Sequence, residues 1–289
     1  MKLAVFSHCA IDTITIDGNN YEQIGGAACY SGITAREFKF DVDLFTKFGP
    51  DFPKQYLNEH EINLINSESQ KNTTKFAISI TGSDRTLKLE NECDPVDYSQ
   101  SNADAHLVSP IYHEISDDTF KKIKSDSNFL FVDPQGFLRR KDSQNNIFLE
   151  KTNLDLSHVN AIKVNPEESQ QIVSGTHDEM MLALQKKGIE YVLLTDKSNV
   201  SLLVKDKIYS ITLPNLHIYD TTGIGDIFCT AFTCTMLKEK DFLWALCFAG
   251  GAAQAALESN NVGLQKIPKK GTIQTNASYF YNLVKFRDL

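Results

Sequence analysis

Long apolar runs, basic clusters and paired cysteines are all missing from this sequence. The first apolar stretch, Leu3 to Phe6, is too short for the core of a secretory signal and far too short to span a bilayer. No later stretch reaches spanning length, so the expectation is a cytoplasmic protein without a membrane partner. Lys and Arg number 29 against 37 Asp and Glu, a net charge of −8, and no basic block stands out. Nucleic acid is therefore not an expected partner, because neutralising phosphates needs a basic face. The cysteines, Cys9, Cys29, Cys93, Cys229, Cys234 and Cys247, form no C-x-x-C pair, and no histidines stand at zinc-ligand spacing. They read as reduced, buried thiols. Two nucleotide motifs are absent as well. No G-x-x-x-x-G-K-S/T occurs, and a G-x-G-x-x-G starting at Gly223 would need glycine where Phe228 stands.

What is present is a chain of 289 residues with 42% hydrophobic content, ample for a large core. Short apolar or β-branched runs (KLAVF, VDLFTKFG, AHLVSP, FLFVDP, AIKVN, YVLLT) recur with helical patterns between them, as over 27–38, 117–124 and 167–187. Such alternation predicts a mainly parallel sheet covered by helices on both faces. Two segments depart from it. Residues 13–24 and 73–92 are rich in Thr and Ile, lack a helical period and carry the turn signals D-G-N-N and T-G-S-D. They predict a small β-sheet standing off the main one, a lid within a single domain spanning 1–289. Its edge strands suggest a homodimer contact, since exposed edges need cover. In the C-terminal third, Ile224, Ile227, Phe228, Ala231 and Phe232 mark one helix face, and Asp241 is placed to cap a second, Ala- and Gly-rich helix.

The chemistry concentrates in DTTGIGD, Asp220 to Asp226, directly before an apolar helix. Free amides at a helix start attract anions, and Gly223 and Gly225 leave them accessible. An acid beside a phosphate site is then a conflict. It resolves if Asp226 takes a proton from a hydroxyl while the amides of Gly223, Ile224, Gly225 and Asp226 stabilise a phosphoryl group in transit. The plain alternative is a capped turn, with Asp220, Thr221 and Thr222 as capping residues.

At this point the sequence resembles the ribokinase-like (PfkB) carbohydrate kinases. DTTGIGD looks like their D-T-x-G-A-G-D signature. Asp12 after the first strand, the diglycine segment GGAACYSG at 25–32, NPEE at 165–168 and VDPQGFLRR at 132–140 are similar to family segments in the same order. The resemblance covers essentially the whole chain. It implies a three-layer α/β/α sandwich with a β lid, and Asp226 as catalytic base. It further implies Asp12, Gly25 and Gly26 holding a small sugar or polyol, Asn165 and Glu168 organising Mg²⁺ and phosphate, and ATP as donor, with Thr222 and Thr195 on the donor side. Two places depart from the pattern. Tyr30 stands where many relatives have Asn; it lines the acceptor pocket or fills core space. Thr195 to Ser201 lacks the family's two glycines, with Lys197 and Val200 in their places, which bears on the donor. Gln135 presents its amide to a substrate or closes a turn. Arg85, Arg139 and Arg140 could each meet a phosphate or substrate oxygen through a fork of donors but read first as solvated surface groups, and no histidine is given a role. Two rivals remain: a nucleoside kinase of the same fold, and a non-catalytic binding protein.

Overall fold

In the computed structural model, residues 1–16, 18–81, 84–214 and 220–289 are described. The chain begins with β1 (Lys2–Phe6), β2 (Ala10–Ile16), β3 (Asn19–Gly25), α1 (Gly26–Glu37) and β4 (Asp41–Phe45). Next come α2 (Gln55–Glu59), β5 (Asn63–Ile65), β6 (Lys75–Thr81), β7 (Asp84–Asn91) and β8 (Ala105–Val108). The middle contains α3 (Asp117–Asp126), β9 (Leu130–Val132), α4 (Gln135–Leu138), β10 (Arg139–Lys141), β11 (Ile147–Leu149) and β12 (Ala161–Val164). Then follow α5 (Pro166–Ile172), α6 (His177–Gln185), β13 (Tyr191–Asp196), β14 (Asn199–Val204) and β15 (Lys207–Thr212). The chain closes with α7 (Ile224–Glu239), α8 (Phe242–Leu257), the 3₁₀ turn Gly263–Lys266, α9 (Lys270–Leu283) and β16 (Lys285–Asp288).

Ten strands form the main sheet in the order β16-β15-β14-β13-β12-β9-β8-β1-β4-β5. From β5 to β13 neighbours run parallel, and β14, β15 and β16 extend the sheet antiparallel. The central strands are apolar on both faces because both are covered. Leu3, Val5, Leu107, Phe131 and Leu193 pack into one core with residues of α1, α7, α8 and α9. Their alternates Ala4, Phe6, Val108, Val132 and Val192 pack into a second core with Phe120 of α3 and Met181 and Leu184 of α6. Side chains point to opposite faces in turn along a strand, so these continuous apolar runs supply both cores at once. These layers, a mainly parallel sheet with helices on both faces, are those the alternation predicts, and they match the α/β/α sandwich that the resemblance implies.

A separate four-stranded sheet, ordered β3-β2-β6-β7, is built from the two aberrant segments. Ala10, Ile14, Phe76, Ile78 and Leu89 of its inner face pack with Ala27, Ile111 and Tyr112 of the main body. The turn signals D-G-N-N and T-G-S-D include residues 17 and 82–83, which lie outside the described residues, as does the Arg85 side chain.

Elsewhere the structure adds detail or corrects the reading. The helical pattern over 167–187 is two helices, α5 and α6, broken where Gly175 takes φ 134°. Each has its own capping box, Asn165 with Glu168 and Thr176 with Glu179, so the second helix starts afresh rather than continuing the first. Asp241 caps α8 through the amides of Leu243 and Trp244. The small residues of α8 serve packing: Gly250 lies against Ile211 of β15, and Gly251 against Ile273 and Ala277 of α9. All six cysteines are buried free thiols. Among the described residues, no helix is long and apolar enough to cross a membrane.

Candidate active site

Parallel strands deliver their following loops to one edge of a sheet, and ligands in such folds bind beyond the carboxyl ends of the strands. Here that edge carries Ser109 after β8, Asp133 after β9 and Asn165 after β12. The N-terminus of α7 meets them. Asp133, Asn165 and the α7 N-terminus, with Asp12 of β2 and the inner face of the small sheet, enclose a pocket of about 240 Å³.

The turn before α7 is tied down at its first residue. Asp220 Oδ1 accepts the Thr222 amide (2.8 Å). Its Oδ2 accepts Lys266 Nζ (2.7 Å) and the Gly263 amide (3.2 Å), and Lys266 also donates to the Asp220 carbonyl (3.1 Å). Both side chains are essentially buried. Asp220 therefore shapes the turn, fastening it to the 3₁₀ turn at 263–266. Lys266 and its companions outweigh burial and hold the Asp220 carboxyl below its ordinary value.

Gly223 caps α7 in the left-handed region, φ 76°, and a Cβ there would lie 2.5 Å from carbons of the Tyr30 ring. No other residue type fits that combination without displacement. Tyr30 is thus the surface on which the turn rests. Its ring has Lys266 5.8 Å from the centroid on the cation–π side, and its hydroxyl is buried with no hydrogen-bond partner among the described residues. Tyr30 also lines the pocket, so its ring fills core space while its side chain helps to form the wall. Thr222 lies on the same wall, beside the Asp220 carboxylate that its amide meets.

Asp226 lies in the first turn of α7, where amides lack acceptors within the helix. Ile224 N–H is the exception, donating to Thr221 O (3.3 Å). The Asp226 carboxylate is buried in the pocket wall, with Oδ1 accepting Ser109 Oγ (3.0 Å). Burial, then the nearby Asp133 charge, pushes its pKa up to about 7, against the opposing pull of Ser109, Lys163 and Arg139. A carboxyl tuned this way can hold or release a proton near neutrality.

Sequence reasoning missed the groups around it. Lys163 sits in β12 on the face covered by α7, with Nζ 3.0 Å from Asp133 Oδ2 and 3.8 Å from Glu168 Oε2. A Cβ on Gly225 would lie 3.4 Å from that nitrogen. A lysine amid the apolar residues of AIKV was the available signal. Ser109 and Asp133 gave none beyond their place at strand ends. Arg139, expected at the surface, instead lines the pocket, donating to Ile111 O and Gln135 Oε1 (both 2.8 Å) and facing the Phe76 ring at 6.0 Å. Its guanidinium ties the small sheet, α4 and the loop after β8 together. Gln135 lines the pocket with its amide oxygen engaged by that arginine. Arg140 is half-buried and turns away, to Thr152 and Glu150.

The remaining candidates divide. Asp12, Gly26, Asn165 and Glu168 line the pocket. Gly26 takes φ 80°, and a Cβ there would meet His8 O at 2.5 Å. Gly25 lies just behind, with Asp12 Oδ2 2.7 Å from where its Cβ would be. Thr195 does not reach the pocket; it is half-buried at the end of β13, paired with Val200 across a tight hairpin. At the head of that hairpin Lys197 takes φ 53°, the conformation a glycine would adopt freely. For Mg²⁺, Glu168 and Asp133 offer two pocket carboxylates beside the Asn165 amide. No group of three ligating side chains occurs among the described residues. That donor set suits a small hard ion held by one or two carboxylates, with waters and phosphate oxygens completing its shell.

The model of the pfkB family carbohydrate kinases matches residues 2–270. No curated protein sequence matches the chain. Among solved structures, a pyrophosphate-dependent kinase in the ribokinase family, complexed with a pyrophosphate analogue and myo-inositol, superposes with a TM-score of 0.81 at 19% identity. The match covers 93% of this chain and 100% of that one. A pyrophosphate-dependent myo-inositol-1 kinase converted into a myo-inositol-3 kinase by two substitutions also gives 0.81, at 18% identity, covering 97% and 100%. The ribokinase of Arabidopsis thaliana, complexed with ribose and ATP, gives 0.73 at 15% identity, covering 96% and 98%. At these identities the likeness is one of fold.

Proposed function

The chain belongs to the pfkB family of carbohydrate kinases, and from that premise we propose that it moves a phosphoryl group from a phosphoanhydride donor to a hydroxyl of a small sugar or polyol, with Asp226 as general base. One placement carries the reading: a buried carboxyl raised to about 7, at the amide-bearing turn of α7 and inside a pocket that also holds Asp12. Asp12, the Gly25–Gly26 turn, Tyr30 and Gln135 hold the acceptor, and Phe76, Ile78 and Leu87 of the small sheet form an apolar roof that excludes water, as a lid must. The acceptor O–H gives its proton to Asp226 as its oxygen bonds to phosphorus. The bridging P–O bond breaks, and the leaving group departs with the electron pair. The amides of Gly223, Gly225 and Asp226 face the charge on the moving group. Asn165 and Glu168 would hold Mg²⁺ through its waters; the ion's contribution is to neutralise donor oxygens. Thr222 lies on the donor side.

The donor has two readings. ATP is the one the family resemblance implies. Pyrophosphate is favoured by Thr195 standing outside the pocket, by the hairpin closed with Lys197 and Val200, and by two superposing kinases that are described as pyrophosphate-dependent. The test is a panel of myo-inositol, hexoses, ribose and nucleosides, each with Mg·ATP and with magnesium pyrophosphate, and product identification by ³¹P NMR. A phosphomonoester of a sugar or polyol is expected. Product only from nucleosides would replace the acceptor, and no product from any pair would overturn transfer.

A further inference from the structure

We propose that His8 is a positioning residue of this transfer: its imidazole pins the small sheet to the main body and so fixes where Asp12 holds the acceptor. The pin is a matter of the fold, and its effect on the acceptor rests on the transfer reading given above.

The chain passes between the main body and the small sheet at four described places: β1 to β2, β3 to α1, into β6 and out of β7. His8 joins all four. It stands in the first crossing itself. Its carbonyl accepts Ala28 N–H near the start of α1 (3.4 Å), and Gly26 packs so closely on that carbonyl that a Cβ would lie 2.5 Å from it. Its ring Nε2 lies 2.7 Å from Asp94 O, on the way out of β7. Nδ1 lies 2.9 Å from Thr74 Oγ1, directly before β6. Thr74 continues the network: its hydroxyl oxygen accepts Cys93 N–H (3.1 Å), and its carbonyl accepts Ile11 N–H (3.0 Å). Ile11 is the chain neighbour of Asp12.

The chemistry of the ring sets the direction of each bond. A carbonyl only accepts, so Nε2 carries the proton and Nδ1 turns its lone pair to the Thr74 O–H. Burial holds the pKa of His8 below its ordinary value, against the pull of Glu114, the Asp94 carbonyl and the charges of Glu92 and Asp94, and keeps the ring neutral. His8, Thr74 and Glu114 are all buried, where an unpaired polar group is costly and a complete network is rigid. Glu114 carries the pin to the opposite wall. Its carboxylate accepts the amides of His8 (3.0 Å), Ile111 and Tyr112 (both 2.7 Å). Ile111 and Tyr112 pack under the small sheet, and Ile111 lines the pocket. Asp12 belongs to the small sheet and Asp226 to α7 of the main body, so the span between them depends on this junction. Transfer tolerates little error in such a span.

The test compares the full chain with His8→Leu, which removes both ring bonds, and with two partial replacements. The amide of His8→Asn stands near Nδ1 and can keep Thr74; that of His8→Gln stands near Nε2 and can keep Asp94. Circular dichroism melts identify the folded proteins. Hydrogen-exchange mass spectrometry of His8→Leu should show faster exchange at the crossings, in the segments holding Cys9, Ile11 and Cys93, with β8, β9 and β12 unchanged. With the donor and acceptor that yield product, the acceptor KM should rise about tenfold, as if about a tenth of the molecules held the sheet in place. Both kcat and the donor KM should stay within about threefold of wild type, because saturating acceptor draws the sheet back and the α7 turn belongs to the main body. His8→Asn and His8→Gln should fall between, and they carry the same test at smaller size if His8→Leu does not fold. A merely structural histidine would lower the melting temperature and leave crossing exchange and acceptor KM as in wild type; that result would overturn the assignment while leaving the transfer reading intact. A wild-type chain that makes no product would overturn the transfer reading and with it the effect on KM, while the exchange measurement still decides the pin.

Discussion

The role proposed for Asp226 sets two demands. A base must be ionised to accept a proton, yet the burial that shields the reaction from water disfavours its charge. The result is a carboxyl raised to about 7, and it makes the enzyme's acid limb predictable. Turnover should rise with pH through about 7 as Asp226 ionises, in a pH profile of kcat/KM. Ser109→Ala removes the hydroxyl that stabilises the carboxylate, so the midpoint should move to higher pH; an unmoved midpoint would detach Ser109 from the base. The same carboxyl has a cost in stability. The folded protein holds the proton longer than the unfolded chain, so this group's contribution is full below about pH 4 and is lost as pH rises through 7. Asp226→Asn should therefore melt above wild type at pH 8, by the equivalent of a few kcal/mol at most, with the gap closing toward pH 4. Equal melting curves across that range would mean that the carboxyl is not raised.

The turn that carries this residue is held from outside itself. Asp220 and Lys266 form a fully buried pair linking it to the 3₁₀ turn at 263–266, and Tyr30 supports Gly223 from α1. Breaking the pair with Lys266→Met leaves a buried carboxylate with only the Thr222 and Gly263 amides and no counter-charge, and about 3–5 kcal/mol of stability should be lost in denaturant unfolding. A loss well under that would mean that Asp220 finds other company. Gly223→Ala meets both a left-handed backbone and the Tyr30 ring, so it should lower both stability and turnover; Gly225→Ala, which meets neither, should fold normally. Comparing their melting temperatures separates a strained position from an open one. Much of this element was legible in the sequence. The glycines, the terminal acid and the apolar helix face announce a polar turn at a helix start, and Asp220 reads as the residue that shapes it. Its partner did not, because Lys266 is distant in sequence and has no local pattern. Ser109, Asp133 and Lys163 escaped for the same reason. Each is one residue at or near a strand end, and only the parallel order of β8, β9 and β12 brings them together.

Across the whole molecule, the sequence conveyed the layers better than the edges. Strands β1, β4, β8, β9, β12 and β13 stand out because covering both sheet faces demands continuous apolar runs. The antiparallel strands β14, β15 and β16 do not, being partly exposed and paired in ways no local pattern records. They extend the main sheet beyond β13, and their first hairpin leaves Thr195 away from the pocket. The small sheet was visible as an interruption of the alternation, and its inner residues Phe76, Ile78 and Leu87 roof the pocket. All these parts converge on the step proposed above, proton transfer to Asp226 as a hydroxyl is phosphorylated. The most direct test is kcat/KM of wild type and Asp226→Asn, measured side by side at pH 7.5 with the acceptor and donor that yield product. The account predicts a loss of roughly 10²–10⁴-fold in the variant, with donor binding retained. A variant that turns over within a fewfold of wild type would contradict it.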